Sequence, residues 1–347
     1  MPHKHAIVRE DVARVARDVA DLSALRGQSI LITGGTGFLG TWLTEILTHL
    51  NDKHRFRVSI SLLATRPAEF AERAPHLVKR ADVKVIARDV ANLVELPSGI
   101  QYLVHAAASP DNRLHASDPL RVIRTIVMGT QAVAECAARL PGIKRMVNVS
   151  SGLVYGAKPV GAESIGENAF GGLDSSSVVN VYAEAKRMAE TISAAYRNQH
   201  RLPIVTVRPF SFLGPYQSLD RPWAINNFIR DTLHGGPVRI LGDGQTVRGY
   251  MYGADFAWWV LNILARADVG QTYNVGSSSG INLLDLASRI ATLMPSQPKV
   301  STGMFSEGVP KTSFVPDTAA AARDFGLNQA FELTEALRRT IEWHLAT

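Results

Sequence analysis

The sequence predicts an α/β chain built on a doubly wound parallel sheet, with a smaller C-terminal α/β lobe. Three observations predict it. A short apolar run, Ile30 to Ile32, leads into glycines at Gly34, Gly37 and Gly40, after which Phe38, Leu39, Trp42, Leu43, Ile46 and Leu47 recur at helical intervals. Downstream, strand-length apolar runs alternate with helical stretches at steps of roughly 25–40 residues, as right-handed βαβ units do. The 347 residues, 46% apolar and 20% charged, are enough for a full core in one large domain or two smaller ones.

Residues 1–28 read as a helical extension. Val8, Val12, Val15, Val19 and Leu22 repeat at steps of four and three, which is one apolar helical face, with Arg9, Asp11, Arg14, Arg17 and Asp18 largely elsewhere. Such a helix docks on the main domain or serves as a dimer contact. The dinucleotide-binding domain then covers 29–212, with 250–276 returning to it. In its first turn Gly34 permits the tight bend, Gly37 the approach of a phosphate to the backbone, and Gly40 the close packing of the helix. Thr36, Phe38 and Leu39 complete this turn. The free N–H groups and positive dipole end of the helix face a pyrophosphate.

Arg57 to Ala64 is the second strand. An acid at its end would bind the ribose hydroxyls of NAD and repel a 2′-phosphate. Thr65 and Arg66 stand there instead, which favours NADP, with NAD the alternative. Val83 to Ala87 is the third strand and Tyr102 to Ala106 the fourth. The latter ends in small residues, Ala106 to Ser109, which leave room for a ligand over the sheet edge. A helix runs from Pro119 to Leu140, and Arg145 to Val149 is the fifth strand. Residues 157–180, rich in glycine and serine, suggest a mobile or poorly structured substrate-side loop. A helix covers Val181 to Tyr196, and Pro203 to Val207 is the sixth strand. The substrate lobe takes 213–249 and 277–347. Gln271 to Val275 reads as one more strand of the main sheet, and Leu333 to Leu345 as the final helix.

Net charge is +6 and the pI about 9.5. Lys and Arg are scattered among acids rather than clustered, which argues for small anionic ligands and against nucleic acid. No apolar run approaches the roughly 20 residues of a membrane span, and no signal-like segment follows the polar N-terminus. The expected location is cytoplasmic. The single cysteine, Cys136, sits in a packed helix and reads as a buried structural thiol. No metal site is read from the sequence.

Ser151, Tyr182 and Lys186 are the candidate catalytic residues. Tyr182 and Lys186 are four apart, on one helical face. A phenol titrates near pH 10, and a nearby ammonium would favour its phenolate. Lys186 is also placed to hold the cofactor ribose, and Ser151 to hydrogen-bond a substrate oxygen. The set fits proton exchange with an alcohol or ketone coupled to hydride transfer.

The chain resembles the extended short-chain dehydrogenase/reductase family, in its NAD-dependent epimerase/dehydratase branch acting on nucleotide sugars. The resemblance spans residues 29 to about 280 and rests on Thr33 to Gly40, Asp89-Val90, His105 to Ser109, Ser150 to Gly156, Tyr182 with Lys186, Arg208-Pro209, Gly214-Pro215, and Gly242 to Arg248 with Asp255. It implies that Asp89 and Val90 flank the adenine, Ala106 and Ala107 line the cofactor, and Pro209 and Phe210 its nicotinamide end. It implies a diphosphate contact for Arg248 and substrate contacts for Ser109, Ser151 and Ser211, although many relatives carry Asn where Ser211 stands. It also implies a homodimer through the helices near 121–140 and 181–197. Related 4,6-dehydratases place an acidic pair where this chain has Gly152 and Leu153, and related decarboxylases a Glu at the latter. The expected activity is therefore 4-epimerisation or 4-keto reduction of a nucleotide-diphosphate sugar. The alternatives are a 4,6-dehydratase with Glu163, Glu167 or Asp174 as displaced acid and base, a nonenzymatic NAD(P)-binding protein, or a reductase of other carbonyl compounds.

Overall fold

A computed structural model describes residues 2–157, 163–303 and 312–346. Its strands are β1 (Ser29–Thr33), β2 (Ser59–Ala64), β3 (Val83–Ala87), β4 (Tyr102–His105), β5 (Arg145–Val149), β6 (Ile204–Pro209), β7 (Ser211–Leu213), β8 (Val238–Ile240), β9 (Val247–Tyr252), β10 (Thr272–Val275), β11 (Gly280–Asn282), β12 (Val300–Thr302) and β13 (Ser313–Phe314). Seven form one parallel sheet in the order β10-β6-β5-β4-β1-β2-β3. The fold is the Rossmann-type α/β architecture expected. Chain order reverses between β1 and β4, which is where ligands settle in open parallel sheets.

Both faces of the sheet are covered, as a parallel sheet requires. Ile30 and Ile32 point into the larger apolar core and Leu31 into a second one, as the alternation of a strand dictates. The helices Phe38–His54 and Gly253–Arg266 cover the first face, and the helix Gly129–Ala138 helps cover the second. The helix expected from Pro119 contains one wide turn at Arg124–Met128 before Gly129. Three strands, β7, β11 and β13, pair with β9, and β8 pairs with β12.

The N-terminal extension is two pieces rather than one, a helix Pro2–Val15 and a short 3-10 turn Ala20–Leu25. The Asp18 carboxylate accepts from Ala20 N at 3.1 Å, a local bond that competes with helix continuation. Val8, Val12, Val15 and Leu22 are buried as expected. Asp11 departs from expectation: it is fully buried, accepts a 2.6 Å bond from the Tyr252 hydroxyl, and pairs with Arg339 of the helix Leu333–Leu345. The extension is thus pinned to its own chain.

The glycine- and serine-rich stretch is better anchored than its composition suggests. Residues 158–162 lie outside the described residues. Beyond them, Arg187 donates to Gly171 O at 2.7 Å, Asn274 Nδ2 donates to Ile165 O at 2.8 Å, and Glu167 Oε1 accepts from Asn274 N at 3.0 Å.

Candidate active site

A cleft of about 1350 Å³ opens over the C-terminal ends of the strands, larger than one small ligand needs. Every site residue expected from the sequence lines it: the turn from Gly34 to Gly40, Thr65, Arg66, Asp89, Val90, Ala106, Ala107, Ser109, Ser151, Tyr182, Lys186, Pro209, Phe210, Ser211 and Arg248.

The glycine turn has the geometry a pyrophosphate requires. Gly34 has φ +66°, and a Cβ on it would meet Ala106 O at 2.8 Å. A Cβ on Gly40 would strike the Gly35 backbone at 2.4 Å, so the helix start packs directly on the turn. No side chain caps the helix at Gly37, which leaves its first N–H groups open. Arg73, which sequence reasoning missed, reaches from the helix Pro67–Arg73 to Thr36 O. Burial lowers its pKa, and it has no carboxylate partner among the described residues. Thr65, Arg66 and Arg88 line the cleft beyond the ends of β2 and β3, with Arg66 3.1 Å from Glu69. Asp89 caps the following turn by accepting from Ala91 N at 3.0 Å.

The helix Val181–His200 brings Tyr182 and Lys186 to the strand end that carries Ser151. All three are buried. Burial pushes the Tyr182 phenol up to about 12, opposed by the neighbouring Ser151 side chain. The Lys186 ammonium, expected to favour the phenolate, is engaged by a backbone carbonyl. It donates to Val149 O at 2.6 Å and lies 5.9 Å from the Tyr182 ring centroid. Burial in turn pushes Lys186 down to about 8, with Glu190 opposing. His115 stacks on Tyr182 at 4.6 Å between centroids and 15° between planes, and its Nε2 donates to Ser109 O at 2.8 Å.

A buried polar network supports the set from behind. Glu190 accepts from the Ser150 hydroxyl at 2.5 Å and from Arg208 at 2.9 and 2.6 Å. Arg208 also donates to the Tyr155 hydroxyl at 3.0 Å, and that hydroxyl donates to Asn274 Oδ1 at 2.6 Å. Glu190 lies one helical turn after Lys186, so its face was legible in the sequence although its partner was not. His105 ties β4 to β1. The Thr130 hydroxyl donates to Ile126 O at 2.6 Å and so accepts from His105 Nε2 at 3.0 Å, which leaves Nδ1 to accept from Thr33 Oγ1 at 2.8 Å. Burial and Lys186 push this histidine down to about 3, so it stays neutral.

The carboxylates considered as displaced acid and base do not line the cleft. Glu167 binds Asn274 N, Asp174 binds the Ser176 hydroxyl at 2.6 Å, and Glu163 faces a separate hollow beside Pro316. Arg248 is half-buried, with its guanidinium 5.0 Å from the Phe314 ring centroid, and has no ion-pair partner among the described residues. Phe314 itself gave no signal in the sequence.

Parallel sheet, uncapped glycine turn and Tyr-Lys pair together define a Rossmann-type dinucleotide-binding protein. The model of the NAD dependent epimerase/dehydratase family matches residues 30–276, and the chain belongs to that family. UDP-glucuronic acid decarboxylase 1 of Xenopus tropicalis is 26% identical over 322 residues, which are 93% of this chain and 73% of the relative. UDP-glucuronic acid 4-epimerase of Bacillus cereus, solved with UDP-glucuronic acid and NAD, superposes with a TM-score of 0.78 at 21% identity over 91% of this chain and 98% of that one. The dTDP-glucose 4,6-dehydratase of Streptomyces venezuelae, solved with NAD, gives 0.76 at 22% identity over 92% and 97%. At these identities the structural likeness is one of fold. No helix among the described residues is long and apolar enough to cross a membrane.

Proposed function

We propose that the protein is an NAD(P)-dependent enzyme of nucleotide-diphosphate sugars that carries out 4-keto reduction or 4-epimerisation. The carrying observation is that Ser151, Tyr182 and Lys186 converge in the cleft with no carboxylate at Gly152 or Leu153. The dinucleotide, when bound, supplies the hydride acceptor or donor. Tyr182 exchanges the proton with the sugar oxygen, Ser151 orients that oxygen, and Lys186, held on Val149 O, keeps a positive charge beside the ribose. Arg248, half-buried and without an ion-pair partner among the described residues, suits a diphosphate, because its fork pairs two phosphate oxygens. Thr65, Arg66 and Arg88 support a preference for NADP, and the two structural neighbours solved with NAD keep NAD the alternative.

The reading extends to a cytoplasmic homodimer. Leu120, Ile123, Met128, Val179 and Met188 are exposed on or beside the two helices that would form the contact. The test of the activity is incubation with UDP- and dTDP-hexoses, in 4-hydroxy and 4-keto form, with NAD and with NADPH. Stoichiometric NADPH loss with a 4-keto sugar marks the reductase, and a C4 epimer without net cofactor change marks the epimerase. The Tyr182→Phe variant should lower turnover by about 10²–10⁴-fold. Unchanged turnover in that variant would sink the catalytic assignment.

A further inference from the structure

The cleft wall beside the reacting centre is apolar, and its construction explains why. The Ser151 hydroxyl accepts from Leu153 N at 3.1 Å, so Leu153 is tied by one hydrogen bond to a candidate catalytic residue. Leu153 lines the cleft with 47% of its surface exposed. Between them, Gly152 has no room for a side chain. A Cβ there would stand 2.8 Å from Phe314 Cζ and 2.9 Å from Phe210 Cε2. Those two rings lie 4.5 Å apart and belong to an apolar cluster with Val154, Tyr155 and Ile165. The carboxylates among the described lining residues are committed elsewhere. Asp89 caps its turn, Glu69 pairs with Arg66, and Asp118 accepts from Arg121 N at 3.2 Å.

We infer that the sugar group next to the reacting carbon is small, uncharged and apolar, so that the substrate is a 6-deoxyhexose. The inference rests on the nucleotide-sugar reading above and adds the substrate class to it. A methyl group packs on Leu153, Phe210 and Phe314 and leaves no polar atom unpaired. Leu153, Phe210 and Phe314 themselves offer no hydrogen-bond partner to a hydroxymethyl group and no counter-charge to a carboxylate. Arg248 stands at the Phe314 end of this wall, and the diphosphate occupies its positive charge.

The test is the affinity of the cofactor-loaded protein for UDP- and dTDP-linked hexoses that differ only in the group on carbon 5: methyl, hydroxymethyl or carboxylate. The methyl member should bind roughly 10–100-fold more tightly than the hydroxymethyl one, the range a hydrophobic pocket achieves, and the carboxylate should bind weakest. Leu153→Lys should narrow the gap between methyl and carboxylate at least tenfold. Equal affinities, tighter binding of the carboxylate, or ratios that Leu153→Lys leaves unchanged overturn the inference while leaving the enzyme reading intact. Failure of every member to bind removes the nucleotide-sugar reading, and the inference with it.

Discussion

Replacing Lys186 by methionine should stabilise the protein below pH 8 while abolishing its proposed activity. The ammonium is buried, and burial lowers its pKa from the ordinary 10.5 to about 8. That difference corresponds to about 3 kcal/mol of unfavourable charge burial. The sign follows from proton counts. Below pH 8 both folded and unfolded states hold the proton and the full penalty is present. Between pH 8 and 10.5 the unfolded state holds more protons, so wild-type stability rises, and above 10.5 the penalty is gone. Methionine fills the same stem but leaves Val149 O without its 2.6 Å donor, at a cost of about 1 kcal/mol. The net gain for Lys186→Met is about 2 kcal/mol at pH 7, shrinking towards zero or reversing by pH 10. Urea unfolding of both proteins, stripped of nucleotide, at pH 7 and pH 10 measures it. A variant less stable than wild type at pH 7, by a margin that does not change with pH, would refute the reasoning.

Three further variants test the same structure. Glu190→Gln keeps the shape but leaves the buried Arg208 without its counter-charge, and should lose about 3 kcal/mol in denaturant unfolding. The same variant should lower the Lys186 pKa further, because Glu190 raises it, which moves the pH profile of the proposed turnover to lower pH. Gly152→Ala forces Phe314 and Phe210 apart and should cost about 1–3 kcal/mol, read as a lower urea midpoint at unchanged slope. Asp11→Ala removes the anchor of the N-terminal helix to Tyr252 and Arg339, and limited proteolysis should then cleave within residues 2–25 faster than in wild type.

The sequence alone determined the fold class, because strand and helix periods and the glycine turn are local patterns that a single chain must express. It also determined which side chains line the cleft. In a parallel sheet the strand ends, and hence Ser151, Ala106 and Pro209, gather at one edge whatever the details of packing. Lys186 and Glu190 share a helix face by the same local logic. Tertiary structure decided the rest. The partner of the Lys186 ammonium is the Val149 carbonyl on another element, and burial of Asp11 depended on Tyr252 and Arg339, more than 240 residues away. The corner at Gly152 is the clearest case. Its sequence says only that a side chain is absent, whereas the fold brings Phe314 from a distant strand into the space, so that close packing rather than local propensity sets the character of the wall.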